Sequence, residues 1–316
     1  MKKLRFLELL YGALDYYYQG DPKGAYDYLT NNQNRVEGSV AGISYYRFLF
    51  ACEMKDKKVA LDILKEAVDD LDFWFPYSSV GHNEIRQLFT EDETYLRLIE
   101  LCKIREAKRK FSGNPAIDVF EPKEASLDNP KLLIALHGDQ QEIDSVYDYW
   151  NPKTYFNHIV AIPQASEVAY TDGHAWTTID RGVKELKTHY DQLVSKYHLE
   201  NENITLCSFS GGTAVALEAV VKNYIQVGKL IFVAPPLQNL EVLKNDLMML
   251  KENNISVYIL CGDSDDRFLP VAQKFAEYLK NVGVNYKLHI AENTKHEYPK
   301  NFEEILLEIK VFFKYE

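Results

Sequence analysis

The sequence has few cysteines and no long hydrophobic run. Its four cysteines, at positions 52, 102, 207 and 261, form no CxxC pair and no cluster with histidine. This distribution argues against both a disulfide framework and a zinc site. No apolar stretch approaches the roughly 18 residues that a membrane-spanning helix needs. We therefore expect buried free thiols, no metal ion and no membrane span.

Basic residues are also in short supply. The 316 residues include 36 Lys and Arg against 47 Asp and Glu, a net charge of −11. Nucleic acids and anionic membranes are bound by clustered cations, so neither is an expected partner. No GxxxxGK[ST] or GxGxxG motif follows a predicted strand, so no nucleotide cofactor is expected. The N-terminus begins like a signal peptide, but Arg5 and Glu8 interrupt its apolar part, which favours a cytoplasmic location.

What the sequence does contain is two parts with different periodicities. In residues 1–110, apolar side chains recur at three- and four-residue steps, which predicts helices. A shift of 35 residues overlays Asp21, Ala25 and Leu29 on identical residue types in a later helical segment. This spacing resembles that of tetratricopeptide repeats, whose period is about 34 residues. An irregular helical bundle is the alternative.

The pattern changes after residue 110. Residues 111–130 hold three prolines and a glycine, typical of a linker or a first edge strand, for which 116–120 is the candidate. Beyond them, short apolar runs alternate with helical segments. The runs are 132–136, 159–162, 204–207, 230–233, 257–261 and 286–290, and the predicted helices lie near 180–198, 212–226, 238–252, 269–282 and 302–313. Such runs separated by helices predict a parallel sheet covered on both faces. We therefore divide the chain into a helical domain (1–110), a linker or edge strand (111–130) and an α/β domain (131–316).

The most informative stretch is Ser208-Phe209-Ser210-Gly211-Gly212, where a predicted strand ends and a helix begins almost at once. Such a turn strains its central residue and requires small residues two positions before and after it. Ser208 and Gly212 meet that requirement. The Ser210 hydroxyl would then project above the sheet, near helix N–H groups that can bind an oxyanion. A phosphate-binding or purely structural Gly/Ser-rich turn would leave a similar pattern.

With this motif, residues 116–316 resemble an α/β-hydrolase of the small carboxylesterase or phospholipase-like type. The sequence has S-x-S-x-G where the family has G-x-S-x-G. The resemblance implies a doubly wound, mostly parallel α/β sheet. It also implies a catalytic triad in the chain order serine, acid, histidine, with Ser210 as the nucleophile.

The resemblance points to the other two triad members as well. After the strand at 257–261, the family's pattern of a glycine, two residues and an aspartate indicates Asp265, whereas counting back from Pro270 indicates Asp266. His296 follows the last predicted strand, where the family keeps its general base. The predicted triad is Ser210, Asp265 and His296.

Further site residues follow from the same resemblance. The backbone N–H of Gly211 would be one oxyanion donor. The loop after strand 132–136 is similar to the family's His-Gly loop, and the N–H of Asp139 would be the second donor, with Gln140 as the fallback and a candidate substrate contact. A carboxylate at 139 is a departure, because its charge opposes an oxyanion unless it points away. Trp176 is similar to an aromatic residue of the pocket wall in small esterases, and a core tryptophan is the alternative.

These residues lead to two functional hypotheses. The first is a serine hydrolase that cleaves small or short-chain acyl esters or thioesters through an acyl-enzyme, without cofactor or metal. The second is a weak or inactive hydrolase fold that acts as a binding protein, with the helical domain contacting a protein partner. The departures at Ser208 and Asp139 favour the second hypothesis, and the ordered triad favours the first.

Overall fold

The computed structural model describes residues 4–36, 38–122, 129–150 and 158–315. The chain divides into two compact units. The first consists of Met1–Gly113 with Ser166–His174, and the second of Asn114–Ala165 with Ala175–Glu316. Among the described residues, no helix combines the length and the apolar character needed to cross a lipid bilayer. The four cysteines are free, as predicted, with Cys52 partly and the others fully buried.

The first unit is mainly helical. Its helices are α1 (Phe6–Tyr18), α2 (Pro22–Asn32), α3 (Val40–Glu53), α4 (Lys57–Lys65), α5 (Tyr77–Val80), α6 (Asn83–Leu88) and α7 (Glu93–Arg109). The side chains of Asp21 and Asp56 cap α2 and α4, each accepting a hydrogen bond from the backbone N–H three residues later. These caps satisfy N–H groups that the first helical turn leaves unpaired. The 35-residue shift therefore relates the first residues of two helices in the structure, α2 and α4. The tetratricopeptide-like architecture stays a prediction.

A short β-hairpin completes the first unit. Strands β4 (Val168–Tyr170) and β5 (Gly173–His174) pair in antiparallel fashion. The Trp74 N–H donates to the Thr171 Oγ1 at 3.0 Å, and the Thr171 N–H donates to the Trp74 carbonyl at 3.3 Å. The Tyr170 side chain is 2% exposed within the helical core. The sequence shows no signal for this arrangement, in which nine residues from the α/β part pack with the helices. The predicted division into a helical domain (1–110) and an α/β domain (131–316), joined by residues 111–130, stays a prediction.

The second unit contains a seven-stranded sheet. Its strands are β1 (Ala116–Phe120), β2 (Leu132–Leu136), β3 (Ile159–Gln164), β6 (Ile204–Phe209), β7 (Lys229–Val233), β8 (Ser256–Gly262) and β9 (Tyr286–Ala291). The order is β1-β3-β2-β6-β7-β8-β9, with β1 antiparallel to β3 and the other pairs parallel. Every predicted run is a strand, and the predicted α/β class with a mostly parallel sheet is confirmed.

Helices cover both faces of this sheet. They are α8 (Ile143–Trp150), α9 (Ile179–Tyr197), α10 (Gly212–Val221), α11 (Leu240–Leu243), α12 (Met248–Glu252), α13 (Leu269–Val282) and α14 (Phe302–Phe313). Side chains of α8 and α14 join the core on one face, and those of α9 to α13 join it on the other. Because strands such as β2 and β6 are buried on both faces, they appear in the sequence as continuous apolar runs.

Two predicted helices differ from the structure. The segment expected as one helix at 238–252 forms two short helices, α11 and α12. The helix expected at 212–226 ends at Val221, and Asn223 two residues later has a φ of +58°. Asparagine tolerates this left-handed conformation, which terminates helices. Helix α8 was not predicted.

Candidate active site

The candidate site lies where the strand order of the sheet reverses. From β2 the chain continues to β3 on one side, whereas β6 lies on the other side of β2. The loops that follow β2 and β6 therefore diverge at the carboxyl edge of the sheet, the position where open α/β sheets bind ligands. The loop after β2 carries Asp139, and the turn after β6 carries Ser210.

The turn after β6 has the geometry of a nucleophile elbow. Ser210 has a φ of +46°, an unfavourable conformation for a residue with a side chain. Its carbonyl accepts the Thr213 N–H at 2.9 Å and the Thr213 hydroxyl at 2.6 Å, which holds the turn. A Cβ on Gly212 would lie 2.7 Å from the His137 carbonyl oxygen, so only glycine fits where the turn meets β2. These contacts fix Ser210 at the start of α10.

Ser208 replaces the glycine found before the serine in the family's motif. The side chain is 1% exposed, and its hydroxyl has no hydrogen-bond partner among the described residues. The substitution therefore fits sterically and leaves a buried polar atom unsatisfied, which costs free energy of folding.

The structure brings Ser210, His296 and Asp265 into one hydrogen-bonded chain. The His296 Nε2 lies 2.8 Å from the Ser210 Oγ, and its Nδ1 lies 2.8 Å from the Asp265 Oδ2. Asp265 is 4% exposed, and its other oxygen accepts the Phe268 N–H at 3.2 Å. This arrangement suits proton transfer from the serine to the imidazole, with the carboxylate holding the ring.

Asp265 is the aspartate that contacts His296, whereas Asp266 is exposed to solvent. The thiol of Cys261 lies 4.0 Å from the Asp265 Oδ2. Burial, reinforced by the charge of Asp265, raises the pKa of Cys261 to about 12, so this thiol stays protonated. Of the two aspartates that the sequence left open, only Asp265 is positioned to orient His296.

The loop that carries Asp265 and the loop that carries His296 are held together by hydrogen bonds. The Ser264 N–H donates to the Thr294 carbonyl at 3.0 Å, and the Thr294 N–H donates to the Asp263 carboxylate at 3.3 Å. The Ser264 hydroxyl first, and then the backbone N–H groups of Asn293 and Thr294, lower the pKa of Asp263. Asp263 thus serves as the anchor between the loops.

Two aromatic rings flank the imidazole of His296. The ring centroids of Phe209 and Phe268 lie 5.4 and 4.7 Å from its own. Phe209 in turn stacks on Tyr298 at 4.7 Å. The histidine side chain is 29% exposed, so its ring is braced by apolar surface and still open to solvent.

The loop after β2 is held by a buried histidine. The Ala165 N–H donates to the His137 Nε2 at 3.1 Å, so that nitrogen carries no proton. The Nδ1 lies 2.7 Å from the Gly138 carbonyl and must therefore be the donor. His137 is thus a neutral residue that positions the loop.

Trp176 braces the same loop. Its indole N–H donates to the His137 carbonyl at 2.9 Å, and its backbone N–H donates to the Asp139 Oδ1 at 2.8 Å. The side chain is 2% exposed. These contacts support the core alternative for Trp176, and its predicted role in a pocket wall stays a prediction.

The Asp139 carboxylate does not point away from the elbow. A Cβ on Gly211 would lie 2.4 Å from the carboxylate carbon and oxygens of Asp139, so the charged group lies directly against Gly211. Asp139 is exposed, and the following Gln140 has a φ of +67°. The loop therefore brings the Asp139 carboxyl group against Gly211, the residue whose N–H is a predicted oxyanion donor.

Sequence reasoning missed several supporting residues. Gln141 accepts the Gly138 N–H at 2.9 Å and so engages that donor within the loop. Thr213 and Phe268 support the serine and the histidine, respectively. Only Thr213 had a usable signal, because a threonine three residues after a turn residue often bonds back to its carbonyl. The described residues hold no cluster of three or more His, Cys, Asp or Glu suited to a metal ion.

The comparisons with known proteins agree with this architecture. Residues 5–110 match a family model described as the N-terminal domain of A/B hydrolase-like proteins. An uncharacterized protein from Bacillus cereus ATCC 10987 is 28% identical, with a TM-score of 0.57 over 98% of this chain and 100% of that chain. No curated protein sequence matches the chain.

Two further solved structures each resemble 64% of the chain. Esterase PE8 is 17% identical with a TM-score of 0.52, covering 64% of this chain and 99% of its own. A putative dipeptidyl aminopeptidase IV from Bacteroides ovatus ATCC 8483 is 13% identical with a TM-score of 0.51, covering 64% of this chain and 34% of its own. The chain thus has the α/β-hydrolase fold, preceded by a helical region that matches the N-terminal domain of A/B hydrolase-like proteins.

Proposed function

We propose that the protein is a serine hydrolase that cleaves carboxylic esters or thioesters with small or short acyl groups. The observation that carries the proposal is the chain of two 2.8 Å contacts from Asp265 through His296 to Ser210. A nucleophile, a base and an orienting acid within hydrogen-bond reach are what acyl transfer to serine requires.

The proposed reaction has two halves. In the first, the His296 Nε2 takes the Ser210 proton while the Oγ attacks the carbonyl carbon, and the protonated histidine then donates that proton to the departing alcohol or thiol. In the second, the histidine removes a proton from water as the water oxygen attacks the acyl-enzyme; the bond from the acyl carbon to the Ser210 Oγ then breaks, the histidine returns the proton to the Oγ, and the acid is released. Asp265 keeps its charge throughout, orients the imidazole and stabilises the imidazolium.

The oxyanion formed in each half needs N–H donors. The Gly211 N–H is the proposed first donor, because it directly follows the nucleophile and begins the turn into α10. The second is the N–H of Asp139 or of Gln140. Gly138 is a weaker candidate, since its N–H already donates to the Gln141 side chain.

A short loop supports small acyl groups. Only residues 234–239 separate β7 from α11, a place where many lipases insert a lid over a long acyl chain. The fold by itself does not choose between an ester and an amide, because one fold hosts many chemistries. We favour esters and thioesters, whose leaving groups need less assistance from the acid.

A fluorophosphonate probe tests the proposal directly. Intact-mass spectrometry of the full chain should show one adduct, absent in Ser210→Ala and retained in Ser208→Ala, a matched removal of a serine hydroxyl two residues away. The adduct would justify a screen of 4-nitrophenyl esters of increasing acyl length. A well-folded wild type without an adduct would contradict a working triad.

The second candidate is a weak or inactive hydrolase fold that acts as a binding protein. The observation that favours it is the Asp139 carboxylate against Gly211, which opposes oxyanion formation. This candidate predicts no probe adduct and a protein partner retained by the helical part. The same mass measurement therefore separates the two candidates.

A further inference from the structure

The outer face of helix α14 exposes a pair of adjoining apolar side chains. Leu307 is 61% exposed and Val311 is 78% exposed, the highest value of any large apolar side chain among the described residues. The two residues lie four positions apart and are therefore neighbours on the helix surface. The opposite face of α14, with Ile305, Leu306 and Ile309, packs in the core. The exposed pair is thus not needed to hold the helix on the sheet, and contiguous apolar surface of this kind marks a candidate contact with another protein surface.

Charged side chains of opposite sign flank this apolar pair. Glu304 lies three residues before Leu307, in the first turn of α14, and Lys314 lies three residues after Val311, at the end of the helix. Both are exposed, and neither has an ion-pair partner in the part of the chain that the structure describes. The four residues follow each other in steps of three, four and three, the spacing of the contact positions of a coiled coil. We call Glu304, Leu307, Val311 and Lys314 the α14 seam.

The α14 seam is complementary to a second copy of itself. In two antiparallel helices related by a two-fold axis, every contact between two residues occurs twice, once in each direction. Placing Leu307 opposite Val311 of a second copy puts Glu304 opposite Lys314 at both ends, because each charged residue lies three positions outside its apolar neighbour. A parallel arrangement would instead set like charges side by side. The sequence of the seam therefore favours the antiparallel arrangement.

The helix dipole explains only part of this pattern. A glutamate in the first turn and a lysine at the end both stabilise a helix on their own. The dipole does not account for two exposed apolar side chains between the charges, nor for the coiled-coil spacing of all four residues. A second α14 accounts for the charges, the apolar pair and the spacing together.

We propose that the α14 seam is the interface of a homodimer, in which α14 packs antiparallel against α14 of a second copy. The interaction goes beyond the proposed hydrolase function and does not depend on it. A seam of four residues covers less surface than the roughly 800 Å² per partner of a standard stable interface. The dimer should therefore be weak and should form only at high protein concentration.

Sedimentation velocity of the full chain, from micromolar to near-millimolar concentrations, measures this association. Wild type should shift from monomer to dimer. Val311→Gln should raise the dissociation constant about tenfold or more, because the two-fold axis places two copies of this side chain in the interface. Val242→Gln is the matched control, since Val242 is 77% exposed on α11, outside the seam. This control should leave the dissociation constant unchanged.

An exchange of charges tests the antiparallel arrangement. Glu304→Lys alone and Lys314→Glu alone each place like charges opposite one another, which should weaken the dimer about fivefold because the contact occurs twice. The double variant, Glu304→Lys with Lys314→Glu, restores opposite charges and should return the dissociation constant to within about twofold of wild type. The reversed charges oppose the helix dipole, so a lower Tm with a restored dimer would separate association from helix stability. High salt should reduce all of these differences.

Three outcomes would overturn the proposal. A wild type that stays monomeric at every concentration would leave the α14 seam to another partner or to solvent. A dimer that Val311→Gln and Val242→Gln affect equally would use a different surface. A double charge variant that associates as weakly as the single variants would exclude the antiparallel pairing of Glu304 with Lys314.

Discussion

Gly262 and Thr294 approach so closely that no side chain fits between them. A Cβ on Gly262 would lie 2.0 Å from the Thr294 carbonyl oxygen and 2.7 Å from that of Lys295. Gly262 is the last residue of β8, and the approach brings the loop with Asp265 against the loop with His296. The distance between the proposed acid and base is therefore set by a glycine that takes no part in the chemistry.

Gly262→Ala should damage both stability and turnover. The added methyl group must push the Thr294 backbone away, and such overpacking costs roughly 1–3 kcal/mol of unfolding free energy. Because the two loops separate, ester turnover should fall at least tenfold even where the variant is folded. Urea unfolding and steady-state kinetics measure the two effects. Wild-type values for both would show that the approach is not needed.

Asp265→Asn should lower kcat by about 10³- to 10⁴-fold, because an amide cannot hold the imidazole in the required tautomer or stabilise the imidazolium. Asp266→Asn removes the neighbouring exposed carboxylate and should change kcat less than threefold. Ester hydrolysis at saturating substrate measures both variants. An equal loss in the two variants would contradict the assignment of Asp265 as the acid.

Ser208→Ala should stabilise the protein. The buried Ser208 hydroxyl lacks a hydrogen-bond partner among the described residues, and an unsatisfied buried group costs about 1–3 kcal/mol. Ser208→Gly, which restores the family's motif, should gain less because glycine loses more backbone entropy on folding. The midpoints of urea unfolding compare the stabilities of the two variants and the wild type, provided that the dependence of the unfolding free energy on urea concentration is the same for all three. A less stable Ser208→Ala would indicate that the hydroxyl has a partner after all.

Tyr170→Ala should destabilise the helical unit. The Tyr170 side chain is 2% exposed, and the centroid of its ring lies 5.3 Å from that of Tyr45. Its removal leaves a cavity, which should lower the free energy of unfolding by about 3–5 kcal/mol. Tyr16→Ala is the control, since Tyr16 is 43% exposed on α1 of the same unit. Thermal unfolding followed by circular dichroism should show a much larger decrease in Tm for Tyr170→Ala. Equal decreases would mean that the hairpin contributes little to the unit.

Stability should decline in acid partly through Glu308. Burial alone would raise its pKa, but hydrogen bonds from Tyr258, His289 and Lys287 outweigh burial and lower the pKa to about 2. Since the pKa in the unfolded chain is about 4.3, the carboxylate stabilises the fold above roughly pH 5 and loses this effect as the pH falls toward 2.

Glu308→Gln should therefore be less stable than wild type at pH 7 and should lose less stability between pH 5 and pH 2. Glu303→Gln, which changes an exposed carboxylate of the same helix, should follow the wild-type curve. Urea unfolding at several pH values measures how the free energy of unfolding of each variant and of the wild type depends on pH. Parallel curves for Glu308→Gln and wild type would rule out this contribution.

Local patterns predicted most of the sheet. Strands β1 and β2 begin and end at the predicted residues, because short apolar runs and the prolines around them are local signals. Helices α13 and α14 also match their predicted bounds. The helical stretch at 238–252 was harder to predict, because the amphipathic pattern alone does not reveal where a helix is interrupted.

The site was predicted in outline and not in detail. Ser210, Asp265 and His296 were named from motifs and chain order, although Asp266 remained open until the contact with His296 was known. The sequence left the orientation of the Asp139 side chain open, and the structure places its carboxyl group against Gly211. A side chain's direction depends on partners distant in sequence, here the Trp176 backbone.

The sequence by itself determined the alternation of strands and helices, the elbow around Ser210 and the order of the proposed triad, since each depends on neighbours within a few residues. The tertiary structure alone decided which aspartate meets His296, where the charge of Asp139 lies, and that the 166–174 hairpin packs with the helices. These features join residues tens of positions apart, and only the folded backbone sets such distances.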